Sequence, residues 1–116
     1  CSGKIYHDLI AEREKNGENS TAIVRVEQLY PLPAAEMAAE AAKYPNASLL
    51  WVQDEPANQG AWSHIALGTS EHFGGTGFNG RTLRRVSRLA SASPATGNHH
   101  LHEEEAKALM TEAFTR

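Results

Sequence analysis

The sequence predicts an α/β fold, a three-layer sandwich with a mostly parallel sheet, and two observations carry that prediction. Segments with helical spacing alternate with short apolar runs in the order helix, strand, helix, strand, helix, strand, helix, the rhythm of strands joined by covering helices. The runs at Thr21–Val26 and Leu49–Val52 are continuously apolar rather than alternating, as in strands covered on both faces.

Each element has its own signal. Ile5, Tyr6, Leu9 and Ile10 fall at helical spacing, and Asn16-Gly17 stops that helix after Arg13, Glu14 and Lys15. Gly17 to Ser20 is a polar loop, and Ala22, Ile23, Val24 and Val26 follow as a strand. Pro31-Leu32-Pro33 breaks the chain, with Pro33 just ahead of a helix, where proline is tolerated. That helix sets Ala34, Met37, Ala38, Ala41 and Ala42 on one face and ends at Tyr44-Pro45-Asn46. Leu49 to Val52 runs into the turn Gln53-Asp54-Glu55-Pro56, after which Gly60 and Ala61 open a third helix. Trp62, Ile65 and Ala66 are its inward positions, and Trp62 is expected to be largely buried, anchoring the helix on the sheet or at a subunit contact.

Gly74-Gly75-Thr76-Gly77 reads as a surface loop, and Arg81 to Arg88 as a strand with four arginines among its eight residues. Such charge suits an edge strand, because it discourages unwanted pairing. A loop of small residues, Ser91 to Asn98, leads to a last helix with Ala106, Leu109, Met110, Ala113 and Phe114 inward. Glu103, Glu104 and Glu105 near its start suit the helix dipole. A fold of this rhythm should begin with a strand, whose place is upstream of Cys1. The expectation is one domain over residues 1–116, a fragment of a longer chain with its first strand truncated.

Bulk properties exclude several classes. The length of 116 residues, 41% hydrophobic and 22% charged, suits one domain with an ordinary core. A net charge of −3 gives no global field for nucleic acid or an anionic membrane. The longest apolar stretch, Ser48 to Val52, is strand-sized, far short of the roughly 20 residues that span a bilayer. The single cysteine, Cys1, forms no internal disulfide and points to a reducing compartment. No signal or transit peptide pattern opens the chain, which begins on Cys1-Ser2-Gly3-Lys4 rather than on Met.

Candidate contact residues concentrate in two places. Asp54 and Glu55 are adjacent carboxylates at the carboxyl end of a buried strand, where ligands of open α/β sheets gather. Consecutive strand side chains point to opposite faces, which favours a structural use over a paired acid and base. One of the two is expected to hydrogen-bond the turn at Asn58-Gln59-Gly60 and the free amides of the next helix. Gly60 alone is a poor phosphate fingerprint. His99, His100 and His102, with glutamates behind them, lack the second ligand set that a metal centre needs. Arg81, Arg84, Arg85 and Arg88 form a basic stripe, suited to a phosphate or to pairing with acidic residues elsewhere. No aromatic residues interleave with them, which argues against nucleic acid.

Several stretches also resemble a known family. Cys1-Ser2-Gly3-Lys4-Ile5-Tyr6, Ala22 to Pro31, Trp51-Val52-Gln53-Asp54-Glu55-Pro56-Ala57-Asn58-Gln59-Gly60-Ala61-Trp62, and Ser91 to Gly97 with His102 resemble, in the same order, blocks of the C-terminal domain of the decarboxylating component of 2-oxoglutarate dehydrogenase. The resemblance implies a transketolase-like C-terminal domain. It implies a parent homodimer that decarboxylates 2-oxoglutarate on thiamine diphosphate with Mg²⁺ and passes succinyl to a lipoyl succinyltransferase component within the multienzyme complex of the tricarboxylic acid cycle. It places the cofactor in upstream domains, so this stretch should hold no catalytic, cofactor or metal residue. Its partners would be those upstream domains, the second protomer and the transferase, with no nucleic acid or membrane. The compartment would be the bacterial cytoplasm, or the mitochondrial matrix in a eukaryote. Some actinobacterial relatives bind acetyl-coenzyme A through basic residues after the Pro-Leu-Pro turn. Ala34, Ala35 and Glu36 stand there in this chain and oppose such binding. The leading expectation is a structural and dimerisation domain, with Asp54, Glu55, Asn58, Gln59, Trp62, Arg84, Arg85 and Arg88 as interface or ligand contacts. The alternative is a regulatory module that binds a nucleotide or coenzyme A.

Overall fold

The computed structural model describes residues 1–73, 81–92 and 99–115. Its elements in order are α1 (Ile5–Lys15), α2 (Ala34–Ala42), β1 (Leu49–Pro56), α3 (Trp62–Phe73), β2 (Leu83–Arg88) and α4 (His99–Phe114). β1 and β2 pair in parallel, and α3 makes the crossover that a parallel pair requires. The loops expected at Gly74–Gly77 and over Ser93–Asn98 lie outside the described residues, as do the side chains of His99, His100 and His102.

Side-chain alternation along the strands sorts the core into two halves. Val52 and Val86 meet Ile5 and Leu9 of α1 and Leu109 and Ala113 of α4, with Leu50 packed against them. Trp51 meets Met37 of α2 and Ile65 of α3, with Leu49 and Leu83 packed against them. Helices therefore cover both faces of the sheet, and the three layers follow from a period-2 strand between two apolar surfaces.

The ends of the helices are set by local chemistry. Gly17, at φ +62°, supplies the left-handed residue after α1; Gly17 N–H donates to the Glu14 carbonyl and Glu18 N–H to the Arg13 carbonyl, the paired bonds of a Schellman end. The Arg81 guanidinium donates to the carbonyls of Ala41 and Tyr44, both at 2.9 Å, and to that of Ala47. It thereby satisfies carbonyls in and beyond the last turn of α2 and places a cation at the negative end of that helix.

One expected strand is absent. Residues 21–26 carry no regular secondary structure, though they bond to Cys1. The Cys1 amino nitrogen donates to the Val24 carbonyl at 3.2 Å, and Val26 N–H donates to the Cys1 carbonyl at 2.8 Å. That is the bond pattern of one parallel bridge centred on Arg25. Ile23 packs on the α1/α4 side and Val26 on the α2/α3 side, so the segment lies in the plane of the sheet. Its apolar sequence suggests cover on both faces, yet Val24 is 39% exposed, and a strand also needs a neighbour along its length, which composition does not report.

Ile65 is fully enclosed, whereas Leu67 two residues on is 67% exposed. Ile65→Ala is expected to cost about 2–5 kcal/mol in denaturant unfolding, and Leu67→Ala to stay within about 0.5 kcal/mol. Equal effects would contradict the placement of α3.

Candidate functional site

The carboxyl end of β1 departs from regular strand geometry. Val52 pairs with Val86 and Pro56 with Arg88, so four steps along β1 match two along β2. The surplus bulges at Gln53–Glu55, and bulges re-aim side chains. Here the bulge buries Gln53, which is 3% exposed. Its carbonyl oxygen accepts from the Trp51 indole N–H at 3.0 Å and from Trp62 N–H at 2.9 Å. Its amide nitrogen reaches the carbonyls of Glu55, Pro56 and Gln59, at 3.2, 2.9 and 2.8 Å. One neutral side chain thus ties the strand, the turn and the first turn of α3 together.

The turn was expected to be held by Asp54 or Glu55, and the structure assigns that work to Gln53. A buried carboxylate has only acceptors, whereas this node needs both an acceptor and a donor, which an amide supplies without burying charge. Asp54 is exposed; its backbone carbonyl accepts from Arg88 Nε at 2.8 Å. Glu55 is half-buried and leans over Gly60, where a Cβ would meet its Oε2 at 2.6 Å. Gly60 itself sits at φ +65°, so both space and backbone demand glycine. The Asn58 amide nitrogen donates to the Ser91 carbonyl at 2.8 Å while its oxygen accepts from Ser91 N–H at 2.9 Å. Gln59 Nε2 reaches the same carbonyl at 3.1 Å, so the turn is pinned to the segment leaving β2.

Trp62 is half-buried rather than enclosed. It packs at the margin of the α2/α3 cluster, while Trp51, at 3% exposed, is the enclosed ring. A strand position between two layers excludes water more fully than the first turn of a helix does.

The arginines do not form one site. Arg81 holds the end of α2, and Arg84 stands 4.0 Å from Glu112 with both side chains about half exposed. Such a pair contributes little to stability. Arg88, with its side chain 10% exposed, reaches the Asp54 carbonyl and Glu105 at 3.5 Å. Arg85 leaves its buried Nε without a partner among the described residues. Strand alternation sends Arg84 and Arg88 to the α4 side and Arg85 to the other.

Beside the bulge lies an open cleft of about 550 Å³, lined by Trp51, Gln53 and Glu55 of β1 and by Leu29, Tyr30 and His64. The chain entering α1 borders it at Ser2-Gly3. Gly3 N–H donates to Glu27 at 3.1 Å, and Arg25 Nε pairs with the same oxygen at 2.6 Å. The Gly3 amide, followed by the Arg25 guanidinium, holds the Glu27 carboxyl below the usual carboxylate range. His64 Nε2 contacts the Leu29 carbonyl and fastens the Tyr30-Pro31 turn to α3.

Fold and site together define a small α/β domain whose strand-end turn is held by a buried amide. The chain belongs to a family described as 2-oxoglutarate dehydrogenase C-terminal, whose model matches residues 1–114. It is 46% identical over its whole length to a 2-oxoglutarate dehydrogenase E1 component of Cupriavidus necator, of which it covers 12%. It is 42% identical to a mitochondrial 2-oxoglutarate dehydrogenase of Caenorhabditis elegans over 98% of this chain and 11% of that protein. A Corynebacterium glutamicum 2-oxoglutarate dehydrogenase E1/E2 component is 46% identical over 97% of this chain and 9% of its own length. The chain therefore spans about a tenth of the relatives it matches.

Gln53→Leu keeps the volume but orphans the Trp51 and Trp62 N–H groups and the turn carbonyls, so a loss of about 3 kcal/mol or more is expected by denaturant titration. Glu27 supplies a second check, through pH. Its folded pKa is depressed, so its contribution is complete above the unfolded carboxylate value and disappears as pH falls through the folded one. Hydrogen exchange of the Gly3 amide, corrected for intrinsic rate, should lose protection on acidification in that window, and Glu27→Gln should remove the dependence.

Proposed function

We propose that this chain is the transketolase-like C-terminal domain of a thiamine diphosphate- and Mg²⁺-dependent 2-oxoglutarate dehydrogenase, and that it serves assembly. The parent homodimer would decarboxylate 2-oxoglutarate in the tricarboxylic acid cycle and hand succinyl to a lipoyl succinyltransferase, in bacterial cytoplasm or mitochondrial matrix according to source. The family match over residues 1–114, on a chain that covers 12% of a full-length relative, carries this reading. The polar groups at the strand end support it, because the Gln53 amide and the Gly3 and Trp62 N–H groups are spent on the fold itself. Asp54, Glu55, Asn58, Gln59 and Trp62 around the strand end, and Arg84, Arg85 and Arg88 on the two faces of β2, are proposed as contacts with the remainder of the enzyme. No observation favours a nucleotide or coenzyme A module, since the arginines that would bind phosphate are dispersed.

A cofactor carries the carbanion chemistry and the protein supplies its position. The isolated 116-residue chain is therefore expected neither to bind thiamine diphosphate nor to decarboxylate 2-oxoglutarate with Mg²⁺ and an artificial electron acceptor. Restoring the upstream polypeptide should restore turnover. Activity of the fragment that survives further purification would overturn the proposal. Removing residues 1–116 from the parent should shift it toward monomer in sedimentation.

A further inference from the structure

We infer that the cleft beside the β1 bulge receives a basic side chain, arginine or lysine, from another part of the same parent polypeptide, with Glu55 as its counter-charge. The inference rests on the assembly reading above and adds the chemistry of one contact. Two donors at this end of the sheet are already used: Gly3 N–H by Glu27 and Trp62 N–H by Gln53. The Glu27 carboxylate is likewise engaged, by Gly3 and Arg25. Glu55 is the contrast. The residue lines the cleft and is half-buried, and its carboxylate takes no hydrogen bond or ion pair from the described residues.

Gly60 leaves room for the carboxylate, because a Cβ there would meet Glu55 Oε2 at 2.6 Å. A half-buried carboxylate without a partner is costly, and a guanidinium or ammonium group relieves that cost. Tyr30, 86% exposed, borders the same cleft and offers an aromatic face, which also attracts cations. The opening of about 550 Å³ is wide enough for one long side chain entering from outside. About nine-tenths of a relative such as the Cupriavidus necator protein lies beyond the matched stretch, so the same polypeptide has ample surface to supply it.

The test is hydrogen exchange on the full-length parent enzyme carrying Glu55→Gln, which preserves shape and removes charge. Exchange should rise several-fold both in residues 53–64 and in one segment outside residues 1–116, while α4 is unchanged. High salt should produce the same pair of changes in the unsubstituted enzyme, and Glu55→Asp should restore part of the protection. Unchanged exchange would overturn the inference. So would a change confined to residues 53–64, which would give Glu55 only its own turn to hold. A change seen solely as easier dimer dissociation would place the cation on the second protomer and overturn it too. If deleting residues 1–116 impairs the dimer while Glu55→Gln is silent, the assembly reading stands and this contact falls. A dimer indifferent to that deletion would remove the basis of both.

Discussion

The structure around the strand end depends on one buried amide. The Gln53 side chain accepts from both Trp51 and Trp62 while donating to the carbonyls of Glu55, Pro56 and Gln59. Buried polar groups stabilise when every valence is filled and destabilise when one is left open. The bulge in β1, the orientation of the Trp51 ring and the starting point of α3 are therefore parts of a single arrangement. Trp51 in turn belongs to the cluster with Val26, Met37 and Ile65, so the node is coupled to the packing of α2 and α3.

That coupling commits polar groups at the carboxyl end of β1 to the fold itself. Open α/β sheets bind ligands where strand ends leave backbone donors and side chains free. Here one donor at the start of α1, Gly3 N–H, is taken by Glu27 and one at the start of α3, Trp62 N–H, by Gln53, both from the chain itself. The same economy applies to the cations: Arg81 is drawn to the end of α2, and Arg88 to the Asp54 carbonyl and Glu105. Charge that reads as a stripe in the sequence is distributed among three neighbouring elements in space.

The periodic signals translated directly into structure. Helical spacing, the Asn16-Gly17 stop and the apolar run at Leu49–Val52 each express a local preference that packing reinforces, and the helices appear where those signals lie. Thr21–Val26 did not become a strand, because pairing depends on a neighbour elsewhere in the sequence and leaves no trace in composition. The turn was legible as a place but not as a mechanism. Asp54 and Glu55 drew the eye by charge, yet burial at the bulge selects a neutral group that both donates and accepts, which points one residue back to Gln53. Alternation from Leu49 would have set Gln53 on the same face as Trp51, the one signal that could have found it. Arg81 shows the converse error: its partners are backbone carbonyls some 40 positions upstream in one case, invisible to any reading of side chains.

Gly60 joins the legible and the hidden parts of the site. A glycine before a helix suggests a phosphate cradle, but its left-handed backbone and its contact with Glu55 assign it a different task. Gln53 draws the Trp62 amide and the Gln59 carbonyl inward from either side, which forces the intervening backbone into a tight turn at Gly60. That turn leaves room for the Glu55 side chain only because Gly60 has none of its own. The neutral node thus determines where the nearest charge can stand: Gln53 faces inward to build the turn, and Glu55, two residues along the same strand, is left at the mouth of the cleft.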